Sequence, residues 1–313
     1  MATLVTGGLG FIGLHTARRL LDAGEDLVLT QYRVARNPDF IAGEIGKRVQ
    51  VEQLDVMNAD QLLDIGKRHK IDKILHLAVP ALAQLTPKED FDMNTTGLIN
   101  ILEAARIWEV KRLGLASSIA VYSGMDNGPF KEDMPLRVNM TNVNPTEAYK
   151  KTFEIIGSHY AQRTGIEIIM LRIGGIYGPL YHSMSNLPSR LVHAALKGEA
   201  PPLRGNEAEN DGNDACYVKD CAQGLSLLMT TDNLPNRCYN IASGRVTTYK
   251  QIVDAVAKQV PGFKADLKPG GANKPNNYLD ISRLQQDTGY KPEYPIEKAI
   301  EDYVAWLRAG NPQ

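Results

Sequence analysis

A chain of 313 residues, 43% hydrophobic and 23% charged, has the composition of a globular protein with one large domain or two smaller ones and a sizeable core. A formal charge of -1, a pI of about 6.6 and no run of like charges exclude a nucleic-acid groove or an anionic membrane surface and leave a small molecule as the expected partner. Cys216, Cys221 and Cys238 are odd in number and lack Cys-x-x-Cys spacing, so they read as reduced thiols of a cytoplasmic protein.

No apolar run approaches the roughly 18 residues of a membrane helix, and "MATLVTGG" enters a strand directly, without a signal peptide. The histidines His15, His69, His76, His159, His182 and His193 show no metal-ligand spacing, and no metal is expected.

Along the chain, short β-rich runs at 3–6, 26–30, 49–54, 73–79, 112–117 and 167–173 alternate with amphipathic segments. In "NTTGLINILEAARI" (94–107), Leu98, Ile101, Leu102 and Ala105 fall on one helical face. Parallel strands need crossover connections, so six strands joined by helices predict an α/β fold with a Rossmann-type doubly wound parallel sheet. After Gly178 and Pro179 the rhythm breaks. Turn-rich "RGNEAENDGND" (204–214) and "KPGGANKPNN" (268–277) bracket a mixed region that ends in helical "PIEKAIEDYVAWLR". The expected organisation is a dinucleotide-binding domain over 1–175 and a smaller C-terminal α/β substrate-binding domain over 176–313, with about 214–243 packing back onto the first.

"LVTGGLGFIGLHTARRLLDAG" places Gly7, Gly10 and Gly13 between a strand and a helix. The missing side chains at Gly7 and Gly10 let backbone approach a pyrophosphate, Gly13 permits close helix packing, and the helix N-terminus offers free N–H groups to phosphate. The acidic residue that usually binds the adenosine ribose is replaced by Gln31, with Arg33 and Arg36 nearby. A neutral Gln31 beside an arginine admits a 2'-phosphate, which tilts the expected cofactor, NAD or NADP, slightly toward NADP.

The pieces "TGGLGFIG", Asp55 with Val56, "ILHLAV" (74–79), Asn94 opening its helix, "LASSIAVYSG" (115–124), "LRIGGIYGP" (171–179), "ACYVKDCAQG" (215–224) and "YNIASG" (239–244) together resemble the extended short-chain dehydrogenase/reductase family, the NAD-dependent epimerase/dehydratase group, along almost the whole chain. The resemblance implies that Gly7, Gly10, Phe11, Ile12 and Gly13 hold the pyrophosphate and that Asp55 and Val56 flank the adenine. Leu77, Ala78 and Val79 would line the cofactor, together with Asn94 and Ser117. Ile173, Gly174 and Gly175 would sit by the nicotinamide. The catalytic serine matches Ser118, which would hydrogen-bond a substrate carbonyl.

The family's Tyr-x-x-x-Lys pair admits two alignments in "NVNPTEAYKKTFEIIGSHY" (142–160). Taking Tyr149 as the tyrosine puts Phe153 at the lysine position. Taking Lys150 as the lysine puts Pro145, Glu154, Tyr160 and Gly165 in register, leaves Thr146 where the tyrosine should stand, and implies that Lys150 contacts the nicotinamide ribose of the cofactor. The second alignment keeps more landmarks. A phenol of pKa ~10 is tunable by a neighbouring ammonium, whereas a threonine hydroxyl only donates or accepts a hydrogen bond. Three explanations remain open. Tyr149 substitutes, with Tyr122 and Tyr177 as further candidates; the reaction is a lyase, dehydratase or isomerase step that needs no phenol; or the protein is a catalytically silent nucleotide sensor.

The resemblance also implies diphosphate-gripping arginines, but Asn213 and Lys268 occupy those places, which favours a small hydroxyl- or carbonyl-containing substrate over a nucleotide-diphosphate sugar. Pro80, Ser118, Ile176, His182 and Arg283 are the candidate pocket wall. The resemblance implies a homodimer built on the helix from Pro145, whose apolar positions Phe153, Ile156 and Tyr160 fit either that interface or ordinary core burial.

Overall fold

A computed structural model describes residues 1–32, 39–79, 85–125, 128–139, 144–205, 207–272 and 274–312. The strands are β1 (Ala2–Thr6), β2 (Asp26–Gln31), β3 (Val49–Gln53), β4 (Ile71–His76), β5 (Arg112–Ser118), β6 (Glu167–Ile173), β7 (Gly175–Tyr177), β8 (Gly212–Asn213), β9 (Ala215–Tyr217), β10 (Cys238–Ile241) and β11 (Thr247–Thr248). The helices are α1 (Phe11–Asp22), α2 (Asp39–Ala42), α3 (Ala59–Arg68), α4 (Pro87–Ile107), α5 (Pro145–Thr164), α6 (Leu187–Lys197), α7 (Val218–Thr230), α8 (Tyr249–Gln259), α9 (Ser282–Thr288) and α10 (Ile296–Arg308).

Seven strands form one sheet in the order β10-β6-β5-β4-β1-β2-β3. The pairs β1·β2, β1·β4, β2·β3, β4·β5 and β5·β6 are parallel, which gives the predicted doubly wound α/β fold. Both faces are covered by helices, so these strands read as nearly continuous apolar runs. Leu4 and Val5 of β1, Leu113 and Leu115 of β5 and Ile169 and Leu171 of β6 are fully buried.

The helix starts are written in side chains. Asn58, Asn144 and Asn186 cap α3, α5 and α6 by accepting from the third helical N–H, and capping boxes Thr86–Glu89 and Thr248–Gln251 open α4 and α8. One expectation is corrected here. Asn94 does not open its helix, because the Thr86 box with Pro87 starts α4 seven residues earlier.

The chain forms two compact units. The first comprises 1–125, 135–173 and 222–239, and the second 126–134, 174–221 and 240–313. The first centres on Leu98, Ile101 and Leu102 of α4 packed with Leu113, Leu115 and Phe153. The second has its own core of Tyr177, Leu191, Tyr217, Ile252, Ile300 and Tyr303. Among the described residues no helix is long and apolar enough to cross a membrane.

Candidate active site

β1 ends at Thr6 and the chain turns through Gly7, whose φ of 66° suits glycine. A Cβ at Gly7 would lie 3.1 Å from the backbone of Ala78, and one at Gly13 would lie 2.4 Å from the Gly7 carbonyl and 2.8 Å from Gly8. The turn therefore hugs both β4 and α1. Gly10 N-caps α1 without a side-chain cap, so the positive end of the helix faces the turn with no side chain bonded over it from Gly10.

A cavity of about 440 Å³ adjoins this turn, lined among others by Gly7, Gly10, Gln31, Asp55, Val56, Leu77, Ala78 and Val79. The glycine cradle, the helix start without a side-chain cap and the apolar slot fit a dinucleotide. Phe11 and Ile12 form the half-buried first turn of α1. Asp55 accepts from the Met57 amide, while Arg33 and Pro80 lie outside the described residues.

Sequence reasoning missed several members of this wall. Thr30, Leu54, Met57, Leu85 and Met93 line the cavity, and Thr30 Oγ1 accepts from the Gly7 amide at 3.1 Å. Buried His76 lies 2.7 Å through Nδ1 from Thr6 Oγ1, and the Ala78 amide donates to the same hydroxyl. Burial, then the charge of Lys150, lowers the His76 pKa to about 3, so this imidazole stays neutral. For Thr30, Leu54 and His76 the legible signal was position alone, at the carboxyl ends of strands, where such folds bind ligands.

The second cluster gathers at the ends of β5 and β6, where Ser118 pairs with Ile173. Ser118 Oγ caps the short turn Ile119–Tyr122 by accepting from the Ala120 amide, and a hydroxyl that accepts in this way can also donate. Helix α5 lays Lys150 beneath this strand end, where Nζ donates to the Ala116 carbonyl at 2.7 Å. Burial lowers the Lys150 pKa to about 8.

The remaining candidates are placed differently. Ser117 donates to Glu154, which grips Arg172 at 2.9 and 2.7 Å, and Arg172 in turn donates to the Tyr122 hydroxyl at 2.8 Å. Ser117 and Tyr122 are thus held inside a buried network. The Asn94 amide donates to the Asp90 carbonyl. Tyr149 packs beside the α4-lined core, and burial together with Asp90 raises its pKa. Half-buried Thr146 stands one turn before Lys150. Tyr177 is sealed in the second unit's core with its pKa pushed well up by burial, which removes it as a proton-exchanging candidate.

In the second unit Gly174 donates to the Ile241 carbonyl, Gly175 opens β7, and Ile176 is buried, with its carbonyl accepting from Asn186. His182 is exposed. Arg283 is committed to Asp133 at 2.5 Å, with Glu132 at 3.9 Å. A polar cavity of about 280 Å³ gathers Gly175, Asn186, Arg190, Arg204, Asn213 and Tyr249. Among the described residues no three His, Cys, Asp or Glu side chains are grouped to hold a metal ion.

A parallel doubly wound sheet with a glycine cradle and an uncapped helix at β1 defines the class: a dinucleotide-binding α/β protein. The NAD dependent epimerase/dehydratase family model matches residues 3–242, and the chain belongs to that family. A putative UDP-glucose 4-epimerase of Methanocaldococcus jannaschii is 27% identical, with 98% of this chain and 99% of that protein covered. The UDP-glucose 4-epimerase of Thermus thermophilus in complex with NAD is 25% identical with a TM-score of 0.78, covering 98% and 99% of the two chains. The Thermotoga maritima UDP-glucose 4-epimerase shares the fold at a TM-score of 0.82, with 21% identity and 99% of each chain covered.

Proposed function

We propose that this protein is an NAD-dependent epimerase or oxidoreductase that interconverts hydroxyl and carbonyl at one carbon of a sugar-like substrate. The observation that carries the reading is that one parallel sheet presents the Gly7–Gly10–Gly13 cradle at β1 and Ser118 with Lys150 at β5. A dinucleotide held at the Gly7–Gly10 turn would supply the acceptor and donor of a hydride. Ser118 donates a hydrogen bond to the substrate oxygen, and the buried Lys150 ammonium favours the negative end of the polarised C–O bond.

NAD rather than NADP is supported by the NAD complexes of relatives from Thermus thermophilus and Bacillus cereus, although neutral Gln31 imposes no carboxylate against a 2'-phosphate. For the substrate, Asn213 and Lys268 speak against a diphosphate, whereas the relatives named above are UDP-glucose 4-epimerases. Arg204 and Arg190, the latter paired with Glu207 at 3.2 Å, line the polar cavity of the second unit, and together with those relatives they support a UDP-hexose as the substrate class.

Exposed Phe91 (57%) and Ile99 (40%) on α4 and Ile155 (64%) on α5 support a homodimer. Of the two readings of Phe153, Ile156 and Tyr160, core burial is the one seen, because Phe153 is core and Ile156 and Tyr160 pack against it. Incubation with NAD and UDP-glucose or UDP-glucuronate, followed by chromatography of the sugar and absorbance at 340 nm, tests the function. Formation of the 4-epimer supports it, and a protein that binds NAD yet changes neither sugar nor absorbance refutes it. Thr146, which has no usable titration, favours a non-redox lyase or dehydratase step as the second reading.

A further inference from the structure

Helix α5 buries two adjacent lysines and treats them differently. Lys151 is neutralised by Glu147 one turn earlier, at 2.6 Å, and also donates to the Arg137 carbonyl. Lys150 is as deeply buried but has no carboxylate within ion-pair distance among the described residues, and the residue one turn before it is Thr146. Its Nζ donates one hydrogen bond, to the Ala116 carbonyl, and lies 4.7 Å from the centre of the Phe153 ring. An ammonium has three hydrogens, so one remains without a protein acceptor among these contacts.

A buried, uncompensated ammonium is unfavourable, and packing alone would be served by an apolar side chain. The neighbouring ionisable groups are already committed. His76 on β4 is held neutral beside Thr6. Glu154 is bound by Arg172 and Ser117, and Arg172 also by Tyr122. Glu147 and Lys151 cancel each other. Tyr149 turns to the α4 side, where Asp90 disfavours its phenolate.

We propose that Lys150 itself carries the proton of the hydroxyl–carbonyl interconversion, as an amine/ammonium pair, with the Thr146 hydroxyl bridging it to the substrate oxygen. The inference rests on the redox reading above. In the oxidising direction the substrate hydroxyl releases its proton through Thr146 to the neutral Nζ, and its C–H pair of electrons leaves as hydride to the dinucleotide. The products are a carbonyl, a Lys150 ammonium and the reduced cofactor, and the reverse step returns proton and hydride together. Residues at i and i+4 of a helix are neighbours, which gives Thr146 the reach for this relay. A lysine lowered to about 8 by burial exchanges protons close to neutrality.

The test is NMR titration of the NAD-loaded protein carrying 13C-labelled lysine, with the Lys150 resonance assigned by its absence in Lys150→Arg. The expected midpoint is about 8, and it persists in Tyr149→Phe. With UDP-glucose as probe, kcat/KM shows a limb at the same pH, and Lys150→Arg lowers kcat by roughly 100-fold or more while NAD affinity changes far less. A midpoint at the ordinary lysine value of about 10.4 overturns the proposal, as does a limb that moves with Tyr149→Phe instead. If UDP-glucose is not turned over, the functional reading fails by itself, and the titration midpoint alone still decides the lysine's state.

Discussion

Replacing Lys150 by Met exposes the energetic consequence of burying its ammonium. Burial lowers this lysine from its ordinary 10.5 to about 8, so between those values the unfolded chain holds a proton that the folded chain has released. Stability therefore rises as pH climbs through that window and is lowest below about 8. By linkage the gain between about pH 7 and about pH 10 is about 2.5 kcal/mol. Methionine has a similar apolar stem and no titration, so the Lys150→Met profile lacks this rise. Loss of the hydrogen bond to the Ala116 carbonyl adds an offset of about 1–3 kcal/mol, but that offset does not change with pH. Urea unfolding of both proteins across the range, followed by far-UV circular dichroism, gives the two profiles. Groups that do not feel Lys150 cancel in the difference, and His76, which does feel its charge, is already neutral over this range. Profiles that run parallel within about 0.5 kcal/mol would refute the claim that Lys150 is buried without a counter-charge.

Glu154→Ala leaves Arg172 buried without its carboxylate and is expected to cost about 3–5 kcal/mol, read as a lowered Tm by calorimetry. An unchanged Tm would mean that the network is not closed as described. Gly13→Ala drives a Cβ against the Gly7 carbonyl at 2.4 Å and must push α1 away from the turn, so NAD affinity by fluorescence titration falls by about tenfold or more. His76 is depressed to about 3, so its neutral form stabilises the fold above its ordinary 6.5, and this contribution falls by about 1.4 kcal/mol per pH unit as acidification continues below that value. His76→Gln should flatten the acid limb of the stability curve in the same denaturant assay. Glu substituted at Ile99 and Ile155 should yield a monomer by light scattering if those exposed side chains cover each other in a dimer.

The sequence by itself determined what depends on neighbours along the chain. Strand-helix alternation and the glycine turn after β1 are local patterns, and each was readable because its physics acts within a few residues. The register of Pro145, Lys150 and Glu154, set by the family resemblance, likewise brought the unusual Thr146 into view before any fold was known.

Tertiary structure decided what depends on partners far apart in sequence. Thr6 and His76 are 70 residues apart and meet only because β1 and β4 pair, and Ser117, Glu154 and Arg172 close a network only when α5 lies on β5 and β6. The two adjacent lysines look alike in the string "YKKTF". Only the fold shows that Lys151 meets a carboxylate while Lys150 meets a carbonyl and an aromatic ring. A side chain's charge state is set by the dielectric and dipoles packed around it, and those come from elements that sequence proximity does not reveal.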